Sequence, residues 1–122
     1  MAKVLLIEDE TSSALVLRHI LQRGGHEVAG ARDGEEGLET ADCEDFQAVV
    51  TDWRMPRMNG LDVIKALHLV RPELPVILIS GFLTPALAIE AKGLGAYGCL
   101  AKPLDQVDCL SLVEKALRRK SS

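Results

Sequence analysis

Along this chain, short apolar runs alternate with helix-length amphipathic stretches, and each run gives way to polar residues at its end. Val4-Leu5-Leu6-Ile7, Ala48-Val49-Val50 and Val76-Ile77-Leu78-Ile79 are continuous rather than alternating, as expected of strands covered on both faces. His26 to Arg32 is more weakly strand-like, and Tyr97 to Ala101 reads as a fifth strand. Between them lie helical stretches. Thr11 to Arg23 carries Ala14, Leu17 and Leu21 on one face and stops at Gly24-Gly25. Asp33 caps a helix from Gly34 to about Asp42, with Glu36 placed for a capping box. Asn59 caps a helix bearing Leu61, Ile64, Ala66, Leu67 and Val70. Thr84-Pro85 supplies a cap and a first-turn proline. Asp105 opens the last helix, with Val107, Leu110, Val113 and Leu117 on its apolar face and Leu104 just before it, all expected in the core. Five strands alternating with five helices predict an α/β fold with a doubly wound parallel sheet and right-handed crossovers.

Length and composition narrow the function. The 122 residues suit one domain over 1–122, and no Pro/Gly/Ser-rich linker or internal repeat divides them. A net charge of −4 and few aromatic residues argue against direct nucleic-acid binding, which needs basic surface and stacking platforms. The basic stretch Lys115 to Lys120 reads as a helix C-terminus. The four apolar residues after Lys3 run into Glu8-Asp9-Glu10, unlike a secretory signal, and no run reaches membrane-span length. Cys43, Cys99 and Cys109 are odd in number and form no C-x-x-C pair, so a reducing, cytoplasmic location is expected.

The strand ends carry the chemistry. Successive strands lead into Glu8-Asp9, Asp52, Ser80 and Lys102. Parallel strands place these ends on one edge of the sheet, where open α/β folds bind ligands. Three carboxylates gathered there repel one another unless a cation joins them, and an all-oxygen set suits Mg²⁺. Lys102 offers a charge and Ser80 a donor to phosphoryl oxygens. A carboxylate in such a place can attack phosphorus, and Asp52, ending a central run before the loop Trp53 to Asn59, is the candidate nucleophile.

With Glu8-Asp9, Asp52 in Asp-Trp-Arg-Met-Pro-Arg-Met-Asn-Gly, Ser80-Gly81 and Lys102-Pro103 in this order, the whole chain resembles a CheY-like response-regulator receiver domain of bacterial two-component signalling. The resemblance implies a flavodoxin-like strand order 2-1-3-4-5. It implies that Asp52 accepts a phosphoryl group from a histidine kinase or a histidine phosphotransfer domain. Glu8, Asp9, Asp52 and the backbone carbonyl of Arg54 would hold Mg²⁺, while Ser80 and Lys102 contact the phosphoryl oxygens. Gly81 would keep the approach open, and the Lys102–Pro103 bond would be cis. The phosphorylated domain would shift its fourth-helix and fifth-strand region toward a downstream protein target or output domain. It would do so as a monomer or weak dimer, without substrate turnover, and without contacting nucleic acid or membrane.

Two positions depart from the family pattern. Cys99 stands where an aromatic switch residue is usual, and Tyr97, two residues earlier, is expected on the same strand face, where it could take over part of the switch. The alternative is an output that works without an aromatic gate. Arg54 and Phe82 flank the path of the hydrolytic water in the family, and Phe82 is expected to slow loss of phosphate.

Blander readings apply elsewhere. Glu10 is a solvated charge, Asn59-Gly60 a turn and cap, Cys99 and Cys109 small apolar residues, and His19, His26 and His68 structural or surface residues. Gly93-Leu94-Gly95-Ala96-Tyr97-Gly98 matches G-x-G-x-x-G but follows a helix and precedes a strand, the reverse of a dinucleotide site. A flavodoxin-like nucleotide binder would want a phosphate cradle where Glu8-Asp9-Glu10 stands. A Mg²⁺-dependent aspartyl phosphatase would want a D-x-D pair that is missing. A degenerate receiver would lack the complete site.

Overall fold

Alternate residues of each apolar run serve opposite faces of one sheet. In the computed structural model, which describes residues 2–118, the elements follow in strict alternation: β1 (Lys3–Ile7), α1 (Thr11–Arg23), β2 (Glu27–Ala31), α2 (Gly34–Cys43), β3 (Ala48–Asp52), α3 (Gly60–Val70), β4 (Val76–Ser80), α4 (Pro85–Leu94), β5 (Gly98–Ala101) and α5 (Gln106–Arg118). All strand pairs are parallel, in the order β2-β1-β3-β4-β5. Leu5, Ile7, Val49, Val76 and Leu78 point into a layer closed by α2, α3 and α4, with Ile64, Leu67 and Ala91 among its buried members. Val4, Leu6, Ala48, Val50, Ile77 and Ile79 point the other way, against Leu17, Leu21, Cys109 and Val113 of α1 and α5. This two-sided burial is why the central runs carry no polar alternation.

The helix boundaries follow local chemistry. The Asp33 carboxylate accepts the Glu36 amide N–H (2.8 Å), while the Glu36 carboxylate reaches past the cap to the amide of Arg32 (2.8 Å). A complete capping box forms instead at α3, between Asn59 and Asp62. Thr84 caps α4 ahead of Pro85, and the Asp105 carboxylate accepts the Asp108 amide N–H (2.9 Å) at the start of α5. Gly95 ends α4 at φ 117°, a left-handed conformation that favours glycine, and the G-x-G-x-x-G lookalike is thus a helix stop leading into β5.

Two expectations need correction, and part of a third lies outside the described residues. The fifth strand begins at Gly98, so Tyr97 precedes it. Val70 and Val107 are 73% and 75% exposed, because each lies on the outer side of its helix; Leu104 is only half-buried. Arg119 and Lys120, the end of the basic stretch, lie outside the described residues.

Candidate functional site

The register of the sheet brings the strand ends together. Ile7 pairs with Thr51, Asp52 with Ile79 and Ser80 with Ala101, so Glu8 falls level with Asp52 and Lys102 one step past Ser80. Backbone bonds carry this order beyond the strands: the Trp53 N–H donates to the Ile79 carbonyl (2.9 Å) and the Lys102 N–H to the Ser80 carbonyl (2.8 Å). One carboxylate oxygen each from Glu8, Asp9 and Asp52 lies within 4.8 Å of the others. The Lys102 Nζ reaches Glu8 Oε1 (3.0 Å) and Asp52 Oδ1 (3.3 Å). Glu8, Asp52 and Ser80 are buried and Asp9 is exposed, so the cluster opens to solvent on the Asp9 side.

Gly60 sets how closely α3 approaches the site. A Cβ there would lie 2.3 Å from the Asp52 carbonyl oxygen and 3.0 Å from the Trp53 Cα, while the Gly60 N–H donates to the Trp53 carbonyl (2.8 Å). Asn59-Gly60 is a cap, as its sequence indicates, and the glycine also fits α3 against the end of β3. At Gly81 a Cβ would meet no atom within 4 Å, which leaves open space beside Ser80. The Lys102–Pro103 peptide bond is cis.

The electrostatics reflect crowding and burial. Burial pushes the Glu8 carboxyl up to about 7, against hydrogen bonds from Lys102 and the Glu10 amide that favour its charged form, with Asp52 adding to the rise. Burial pulls Lys102 down, but the Glu8 and Asp52 carboxylates outweigh it and hold the ammonium above its ordinary value. The Ser80 Oγ accepts the Phe82 N–H (2.9 Å).

Glu10 is not merely solvated: its amide N–H donates to Glu8 Oε2 (3.1 Å) and its carboxylate accepts the Ser13 hydroxyl (2.6 Å). Ser13, which also lies 3.4 Å from Lys102 Nζ, escapes sequence reasoning because nothing in its local pattern separates it from other first-turn serines. The stacked group of Trp53, Arg54 and Phe82 escapes it too. The Arg54 Cζ sits 5.1 Å from the Trp53 ring centroid and 5.6 Å from that of Phe82, a contact made between two loops.

Tyr97 does not share the face of Cys99. Cys99 packs toward the α2–α4 layer, whereas Tyr97 packs with Leu100 toward α1 and α5. The alternation that would align them fails because Tyr97 stands before the strand begins. Burial raises the thiols of Cys99 and Cys109, the latter to about 11, in keeping with inert, apolar roles.

This cluster at the end of a 2-1-3-4-5 sheet coincides with a family match: the response regulator receiver domain matches residues 4–114. The chain belongs to that family. A receiver domain protein from Clostridium thermocellum superposes with a TM-score of 0.91 at 32% identity, covering 98% of this chain and 97% of that one. Chemotaxis protein CheY4 of Vibrio cholerae does so with a TM-score of 0.89 at 32% identity, covering 95% and 98%. In sequence, the C4-dicarboxylate transport transcriptional regulatory protein DctD of Pseudomonas aeruginosa is 40% identical over 94% of this chain and 25% of its own length. The transcriptional regulatory protein ZraR of Escherichia coli is 32% identical over 93% of this chain and 26% of its own. The chain therefore spans about a quarter of these two curated relatives. For a receiver domain, the acidic cluster and Lys102 occupy the expected end of the sheet, and among the described residues no helix is long and apolar enough to cross a membrane.

Proposed function

We propose that Asp52 accepts a phosphoryl group from the phosphohistidine of a histidine kinase or histidine phosphotransfer domain, with Mg²⁺, and that this shifts the α4/β5 region of the domain. The observation that carries the reading is Lys102 Nζ lying 3.3 Å from Asp52 Oδ1 at the mouth of a three-carboxylate cluster. The cluster fits a hard divalent ion: its donors are all oxygen, they lie close together, and they leave negative charge that Lys102 alone does not balance. Glu8, Asp9, Asp52 and the backbone carbonyl of Arg54 would hold the ion, which when bound offsets charge between carboxylate and phosphoryl oxygens.

The chain's own residues do the rest. An Asp52 carboxylate oxygen attacks phosphorus and the phosphorus–nitrogen bond breaks. The donor imidazole leaves with the bonding pair and takes up a proton. Lys102, kept charged by its carboxylate neighbours, stabilises the phosphoryl oxygens, and Ser80 turns its hydroxyl toward them. The product is an acyl phosphate on the domain itself, so the domain is an acceptor without substrate turnover. Cys99 leaves the switch without a ring at that position, and the packing of Tyr97 on the other layer favours an output that works without an aromatic gate. The signal passes in the cytoplasm to a protein target or output domain, and the domain acts as a monomer or weak dimer.

The test is intact mass after incubation with Mg²⁺ and acetyl phosphate. One phosphoryl adduct is expected, absent with EDTA and absent in Asp52→Asn. An adduct that persists in Asp52→Asn overturns the assignment.

A further inference from the structure

An arginine two residues from Asp52 is an awkward neighbour for a cation site. With Glu8 ionised, three carboxylates and one ammonium leave two negative charges, which a divalent ion would neutralise. A guanidinium that folded onto Asp9 or Asp52 would compete for the same oxygens. Arg54 is placed to do so, because it lines the same open depression as Asp9, together with Trp53, Met55, Pro56 and Asn59. Yet among the described residues Arg54 forms no ion pair and no side-chain hydrogen bond. Its contacts are with the faces of two rings, Trp53 on its own loop and Phe82 on the loop after β4.

We infer that Trp53 and Phe82 sequester the Arg54 guanidinium, holding it off the acidic cluster so that the pocket is left to a divalent cation. The inference rests on the metal reading given above. The Trp53 ring packs against the α2–α4 layer and is a fixed support. Phe82 belongs to neither core layer and is 69% exposed. A large apolar side chain gains little from burial in that position, so its contribution is the cation–π face it offers Arg54. Its backbone N–H, bonded to Ser80 Oγ, anchors its main chain beside the site. Arg54 is thus a positioning residue by restraint: a cation kept near the pocket but prevented from filling it.

The experiment is a Mg²⁺ titration of the full chain at low ionic strength, followed by the fluorescence of Trp53, its single tryptophan. Loss of the Phe82 ring frees Arg54 to reach the carboxylates, and Phe82→Ala should weaken Mg²⁺ binding roughly three- to fivefold. Phe82→Tyr, which keeps a ring face, should bind as the wild type does. The double variant Arg54→Met/Phe82→Ala should regain the affinity of Arg54→Met alone. Wild-type affinity in Phe82→Ala, or a double variant as weak as Phe82→Ala, overturns the inference and leaves the metal reading standing. A wild-type protein without a Mg²⁺ response that Asp9→Asn abolishes overturns both.

Discussion

Glu8 is a buried carboxyl whose partners do not fully compensate its burial. Its value of about 7 in the folded chain lies above the ordinary 4.5, so between those limits the folded protein holds a proton that the unfolded chain has released. The stability this gives is complete below about pH 4.5 and is lost as pH rises through about 7. Denaturant midpoints of the metal-free protein should therefore fall from pH 5 to pH 8 by more in the wild type than in Glu8→Gln, which cannot titrate. Equal slopes for the two proteins would show that Glu8 is not the group responsible. Phe82 carries a separate expectation. With Mg²⁺ saturating, Phe82→Ala should lose phosphate faster than the wild type, because a bulky ring follows Gly81 directly on the loop after Ser80; an unchanged decay rate would count against a shielding role. Tyr97 should keep its ring resonances when beryllofluoride is added, since it packs on the layer away from Cys99. Glu8, Asp52, Ser80 and Lys102 could be read from the sequence because each ends a strand run in a parallel sheet. Ser13 and the Arg54 stack could not, because their partners come from other segments and no periodicity records a meeting of loops.

Helix α3 shows how an element is tied to the site. Its first turn is closed by the Asn59–Asp62 box and its first residue lies against the Asp52 carbonyl. Asn59→Ala should cost about 1 kcal/mol in denaturant unfolding, as for other side-chain caps. Gly60→Ala should cost more, about 1–3 kcal/mol, since the added carbon meets backbone that cannot move without shifting β3. A neutral Gly60→Ala would mean that the approach is looser than the contacts require. Cap residues made the helix starts legible, and the continuous apolar runs did the same for β1, β3 and β4. The weaker points were those where apolar character did not decide burial. Val70 and Val107 fall at helical spacing yet face outward, and Tyr97, although its N–H donates to the Val76 carbonyl (2.8 Å), stands one residue before β5 begins.

Across the whole molecule, one sheet buried on both faces holds the strand ends in register. Leu78→Ala, removing a fully buried side chain from β4, should destabilise by about 2–5 kcal/mol. If the carboxylates hold a cation, Mg²⁺ should raise the thermal midpoint of the wild type, and the rise should vanish in Asp9→Asn. The parallel topology and the family were within reach of sequence because the motifs stand in order at strand ends, and the strand order came only with the family resemblance, whereas packing between loops depends on distances that only the folded chain sets. The pairing of Glu8 with Lys102 joins positions 94 apart in the chain. A nascent chain emerging from the ribosome carries its acidic residues and the acceptor long before the lysine, and the chemistry must wait until translation has passed β5. The phospho-accepting site proposed at Asp52 is thereby assembled only once β5 has joined the sheet, and a chain cut before Lys102 lacks it.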